Sequence, residues 1–162
     1  MNATRVETIG QETCAAPAPN LRERVPRSPR QQLGGLVWLP RLLDKGRATL
    51  AGTNGEYEYG CLLDQRFFDF VALEPEALKA QLAAGKSDAE VLQWILAHAG
   101  RELSPAIVEA WSVQAERQAP SEAELQQVLS EQRQGQALEG AERLTWFELL
   151  ERHDRLSFGG QP

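Results

Sequence analysis

Four charged residues crowd the decapeptide from Trp38 to Arg47, WLPRLLDKGR, among leucines that demand burial. On a helix beginning near Pro40, Arg41, Asp44, Lys45 and Arg47 fall at three- and four-residue spacings and project from one connected, positive-rich face. Two chemistries are open to them. Arg41, Lys45 and Arg47 can converge on an anion, with Asp44 holding an arginine in its rotamer. Alternatively they form ion pairs, worth less than about 1 kcal/mol each on a solvated stripe, or answer carboxylates of other helices in an internal network. Three cations this close repel one another unless something answers them.

A second cluster follows within a turn: Glu56, Tyr57, Glu58, Tyr59, Cys61 and Asp64. As a site, the tyrosine hydroxyls and carboxylates would line a polar cleft, floored by Trp38 stacked on Arg41 or on a planar ligand. Cys61 is a candidate nucleophile beside a cation; as structure, it is a small buried hydrophobe ahead of Leu62. Asp64 or Glu58 could act as general base beside Tyr59, with Arg41 stabilising developing negative charge. His98 and His153 each stand near a helix end, at spacings from Cys61 that match no zinc pattern, so neither a metal nor a cofactor is expected. Gly34-Gly35 is too short for a phosphate loop and has no strand before it. Trp94 and Trp111 fall on apolar helical stripes as core anchors.

The elements that position these residues read as helices. Apolar residues recur at three- and four-residue spacings from Leu33 onward, which predicts a mainly α, compact bundle of about six short helices. One short extended segment, from Glu56 to Tyr59, is suggested by period-two alternation after the Asn54-Gly55 turn. The first helix runs from about Pro40 to Ala51, with Leu39, Leu42, Leu43, Gly46 and Leu50 inward. Leu62, Leu63, Phe67, Phe70 and Val71 mark the next stripe, and Pro75 opens a short helix to Gly85. Capping boxes at Ser87-Glu90, Ser121-Glu124 and Thr145-Glu148 each start a helix, because the cap oxygen and the N3 carboxylate satisfy first-turn N–H groups reciprocally. Ser104-Pro105 starts another. The helices so begun should end near Ala99, Gly135, Asp154 and Gln118 respectively.

The chain has 162 residues, 42% hydrophobic and 25% charged, with net charge -6. That is an ordinary globular composition for a single domain over residues 32–162, and its acidity argues against charge-driven nucleic-acid binding. Residues 1–31, with Pro17, Pro19, Pro26 and Pro29, read as a flexible arm in which five arginines oppose three glutamates. The only cysteines are Cys14 and Cys61, so no disulfide framework is implied. No run approaches 18 apolar residues and no apolar block opens the chain, so no membrane association is expected and a soluble, cytoplasmic protein is the natural reading.

The run PRSPRQQLGGLVWLPRLLDKGR, with Glu58-Tyr-Gly-Cys61, Leu63-Asp64, Ser87-Asp88 and Trp94, resembles an uncharacterised bacterial family catalogued as domain of unknown function 5069. The resemblance covers residues 26 to 100. It places Gly35, Trp38, Pro40, Arg41, Asp44, Lys45, Arg47, Cys61 and Asp64 in the family pattern and implies no activity, substrate or catalytic residue. The leading expectation is a binding or interaction module rather than an enzyme, with an Arg/Lys-lined polar pocket for a small anionic ligand or an acidic partner surface. Its candidate binding residues are Trp38, Arg41, Asp44, Lys45, Arg47, Tyr57, Tyr59, Cys61 and Asp64. Competing readings are an enzyme using Asp64 or Glu58 with Tyr59 and Arg41, and a structural or homo-oligomeric protein without a pocket.

Overall fold

The computed structural model describes residues 16–131, 140 and 143–158; the first half of the expected arm, Cys14 and the predicted helix end near Gly135 lie outside them. Gly34 and Gly35 both take positive φ, 59° and 82°, as a two-residue hairpin turn requires. They join β1 (Gln32–Leu33) to β2 (Leu36–Val37), an antiparallel pair with Leu33 opposite Leu36. The extended structure therefore lies at this hairpin and not at Glu56–Tyr59, which forms successive turns. A Cβ on Gly34 would sit 2.6 Å from a Leu92 methyl, so any larger residue would also have to displace the end of that side chain.

Seven described helices carry the rest: α1 (Leu39–Ala51), α2 (Leu62–Val71), α3 (Pro75–Ala83), α4 (Asp88–His98), α5 (Pro105–Arg117), α6 (Glu122–Glu131) and α7 (Trp146–Ser157). The caps fall where the sequence puts them. Ser87 and Thr145 each accept from the N3 backbone N–H while Glu90 and Glu148 return to the cap N–H, and Ser104 accepts from Ile107. The Ser121-Glu124 box is likewise formed.

The fold is built around α1. Leu39, Leu42 and Leu43 enter a core with Leu36, Val37, Phe67, Phe68, Val71, Leu78, Val91 and Ile95. Each such side chain contributes roughly 1.5–3 kcal/mol by leaving water. Leu50, expected inward, is exposed. Conversely, Arg41, Lys45 and Arg47 are buried, so α1 is enclosed on its charged side too.

What encloses it is partly the segment expected as arm. Leu21 is 1% exposed, packs with Ala48 and Tyr57, and donates its N–H to the Thr53 carbonyl at 2.8 Å. Phe158 joins this satellite cluster from the end of α7. Residues 16–31 thus lie along α1, and the Pro29 carbonyl accepts the Trp38 N–H at 2.9 Å.

Candidate functional site

Arg41 and Lys45, one turn apart on α1, reach two different carboxylates. Arg41 is 1% exposed and makes a two-pronged ion pair with Asp154 of α7, at 2.8 and 3.0 Å. Tyr57 donates its hydroxyl to the same Asp154 at 3.0 Å, and the guanidinium lies over the Tyr57 and Trp38 rings at 5.5 and 5.8 Å. Burial first, and then the Asp154 charge, push the Tyr57 hydroxyl well above its ordinary range.

Lys45 donates to both oxygens of Asp64 at 2.8 Å, to the Glu58 carbonyl at 3.0 Å and to Cys61 Sγ at 3.3 Å. Asp64 is wholly buried and also accepts the Trp38 indole N–H and the Gly60 N–H, each at 2.8 Å. This fixes Trp38, whose φ of 70° is a left-handed conformation costly for a tryptophan. Its ring stacks on Phe147 at 5.9 Å and lies 5.1 Å from the Lys45 ammonium.

The remaining charges of α1 face a third network. Arg27, from the N-terminal segment, holds Asp44 at 2.8 Å and Asp88 at 2.6 Å, and Arg47 pairs with the other oxygen of Asp88 at 2.6 Å. Burial opposes ionisation of Asp88, but the hydrogen bonds and charges of Arg27 and Arg47 outweigh it and hold the carboxyl below its usual range. Burial likewise opposes the charge on Arg27, and Asp44 and Asp88 overcome it.

Of the nine candidate residues, Trp38, Arg41, Lys45, Tyr57 and Cys61 line one cavity of about 280 Å³, with Asp64 behind Lys45 as its counter-ion. Leu63, Trp146, Leu149 and Leu150 form its apolar wall, and Glu58 and His153 stand among its polar lining. Asp44 and Arg47 belong to the Asp88 network instead. Tyr59 turns away, giving its hydroxyl to the Pro75 carbonyl at 2.7 Å against the edge of Phe68.

Of the groups an enzyme reading needs, Glu58 and Arg41 line the cavity together, while Tyr59 and Asp64 do not join them there. Asp64 accepts four hydrogen bonds from three donor groups, Arg41 is paired with Asp154, and Tyr59 faces α3. Among the described residues no group of three or more His, Cys, Asp or Glu could hold a metal ion, and no helix is long and apolar enough to cross a membrane.

A family model described as a domain of unknown function, 5069, matches residues 23–155. The chain belongs to this family. No curated protein matches it. The matched span of the 5069 domain contains every member of the three ion networks, from Arg27 to Asp154, and so extends well past residue 100, where the sequence resemblance ends.

Asp88, Asp154, Arg27 and the apolar wall are not among the residues that the sequence offers as a site. Asp154 had a signal: Trp146, Leu149, Leu150, His153 and Asp154 share one face of α7, so the carboxylate stands on an apolar stripe, where an unpaired charge is not tolerated. Arg27 had none, because its neighbours carry no periodicity.

Proposed function

We propose that this member of the 5069 family is a small-molecule binding module, and that its ligand occupies the cavity between α1, the Tyr57–Cys61 turn, α2, α6 and α7. The observation that carries this reading is the convergence of Trp38, Arg41, Lys45, Tyr57 and Cys61 on one recess whose opposite wall is apolar. Binding sites of small molecules combine these features, a concave apolar surface with a few fixed polar groups. The strained Trp38 supports it further, since such strain is retained where the surroundings over-determine a geometry.

The ligand class follows from the charge balance. Arg41 and Lys45 are answered by Asp154 and Asp64, and Glu56 and Glu58 add negative charge at the mouth. An anion would meet no unpaired cation there, so a neutral molecule with a polar end and an apolar body fits better than the anionic ligand that α1 suggests in isolation. The free thiol of Cys61 suits a reducing compartment, and a bacterial cytoplasm is the setting we infer.

A thermal-shift screen against small polar metabolites tests this, with Leu150→Phe filling the cavity as control. A ligand held at about a hundred times its Kd adds about 2.7 kcal/mol to stability. Hits should stabilise the parent protein and lose that effect in Leu150→Phe. Hits that stabilise both equally would place binding elsewhere.

A further inference from the structure

A second recess, of about 270 Å³, lies on the α5 side of Trp146, where α2, α5 and the start of α7 meet. Trp38, Trp111, Trp146 and Phe147 supply its aromatic lining, and Arg66 and Gln114 are among its polar residues. Two of these carry an unanswered donor. Trp146 is 5% exposed and its indole nitrogen has no hydrogen-bond partner among the described residues; the same is true of the buried Arg66 Nη1, although Arg66 Nη2 pairs with Glu124 at 2.5 Å. The guanidinium carbon lies 5.8 Å from the centroid of the Trp146 ring, so the two side chains that carry these donors are neighbours.

This is conspicuous because the ionic groups of α1 are all answered within the fold. Buried donors without acceptors are rare and call for an explanation at each occurrence. Both atoms can only donate, so the missing group is an acceptor. The aromatic walls suit a planar ring. The charge of Arg66 is already met by Glu124, and Asp69 adds a second carboxylate to the lining, which disfavours an anionic acceptor.

We infer that this recess binds a neutral aromatic amide or a similar planar ring bearing a carbonyl oxygen, which accepts from Trp146 Nε1 and Arg66 Nη1. Both nitrogens are sealed from bulk water, so the oxygen reaches them as the partly exposed Arg66 side chain yields. The recess adjoins the cavity proposed above across Trp38, Leu63 and Trp146, which line both, and differs from it in Arg66 and the α5 residues Trp111, Gln114 and Ala115.

Benzamide, benzoate and toluene are the probes, read by the tryptophan indole N–H resonances in a nitrogen-15 NMR titration. Benzamide should move the Trp146 resonance and bind about threefold to tenfold more tightly than toluene, as one added hydrogen bond allows. Benzoate should bind more weakly than benzamide. Ala115→Leu, which fills this recess, should abolish the benzamide shift, and Leu150→Phe should preserve it. A stationary Trp146 resonance, equal binding of toluene, tighter binding of benzoate, or a shift surviving Ala115→Leu would each overturn the assignment. Leu150→Phe keeps this outcome distinct from the fate of the first cavity.

Discussion

Asp154 is one carboxylate that answers two prongs of Arg41 and the hydroxyl of Tyr57, all out of water. Removing it strands a buried guanidinium, and breaking a buried pair in this way costs about 3–5 kcal/mol. Asp154→Ala should therefore lower the urea unfolding free energy by that order, whereas Tyr57→Phe should lose only about 1 kcal/mol. The raised Tyr57 hydroxyl gives a pH signature. Its contribution is intact below the ordinary tyrosine value of 10.0 and is lost as pH rises from there towards the higher folded value. The alkaline loss of stability should be shallower in Tyr57→Phe, and an unchanged slope would assign it to other groups. The sequence made the cations of α1 legible, because helical spacing is local. Asp64, the partner of Lys45, already stood among the candidates, but Asp154 could not be matched to Arg41, because the two are 113 residues apart and the face of α7 shows only that its carboxylate needs a partner, not which one.

At the scale of elements, the three capping boxes were readable because each is complete within four residues. The hairpin was equally local, yet Gly34-Gly35 invites comparison with a phosphate loop and its role as a turn of two positive-φ residues is then overlooked. Gly34→Ala would force an alanine into the left-handed region, at about 1–2 kcal/mol, and press its Cβ on Leu92. Its melting temperature should fall, and an unchanged value would show that the turn can relax. The alternation from Glu56 to Tyr59 suggested a strand, but strands need a partner strand and these residues have none among the described residues. Asn54 closes a turn by accepting the Tyr57 N–H on its carbonyl and donating its side-chain amide to the Tyr57 carbonyl. Tyr57 and Tyr59 then go to Asp154 and Pro75 separately.

Across the whole molecule, the ion networks tie distant parts of the chain to α1. Arg27 anchors the N-terminal segment to Asp44 and Asp88, Asp64 secures α2, and Asp154 secures α7. Asp88, held below its usual range, contributes stability that is complete above its ordinary 3.8 and is lost as pH falls through the lower folded value. Asp88→Asn should thus be less stable than the parent near neutrality, with the difference narrowing as pH falls below 3.8, in denaturant melts across that range. The mainly helical architecture was legible because periodicity and caps agree. The packing of residues 16–31 was not, since prolines and arginines without period resemble a solvated tail until Leu21 and Arg27 find their places on α1.

The central claim is that the charges of α1 are held by carboxylates of the fold and are not reserved for a ligand. A double-mutant cycle on Lys45 and Asp64, read by urea unfolding, tests it most directly. Lys45→Met and Asp64→Asn should each cost about 3–5 kcal/mol, because each leaves an uncompensated buried charge or its broken network. The double variant should cost much less than their sum, giving a coupling of about 2 kcal/mol or more. A Lys45→Met protein within about 0.5 kcal/mol of the parent, with additive losses, would contradict the claim and return Lys45 to the role of a free ligand-binding cation.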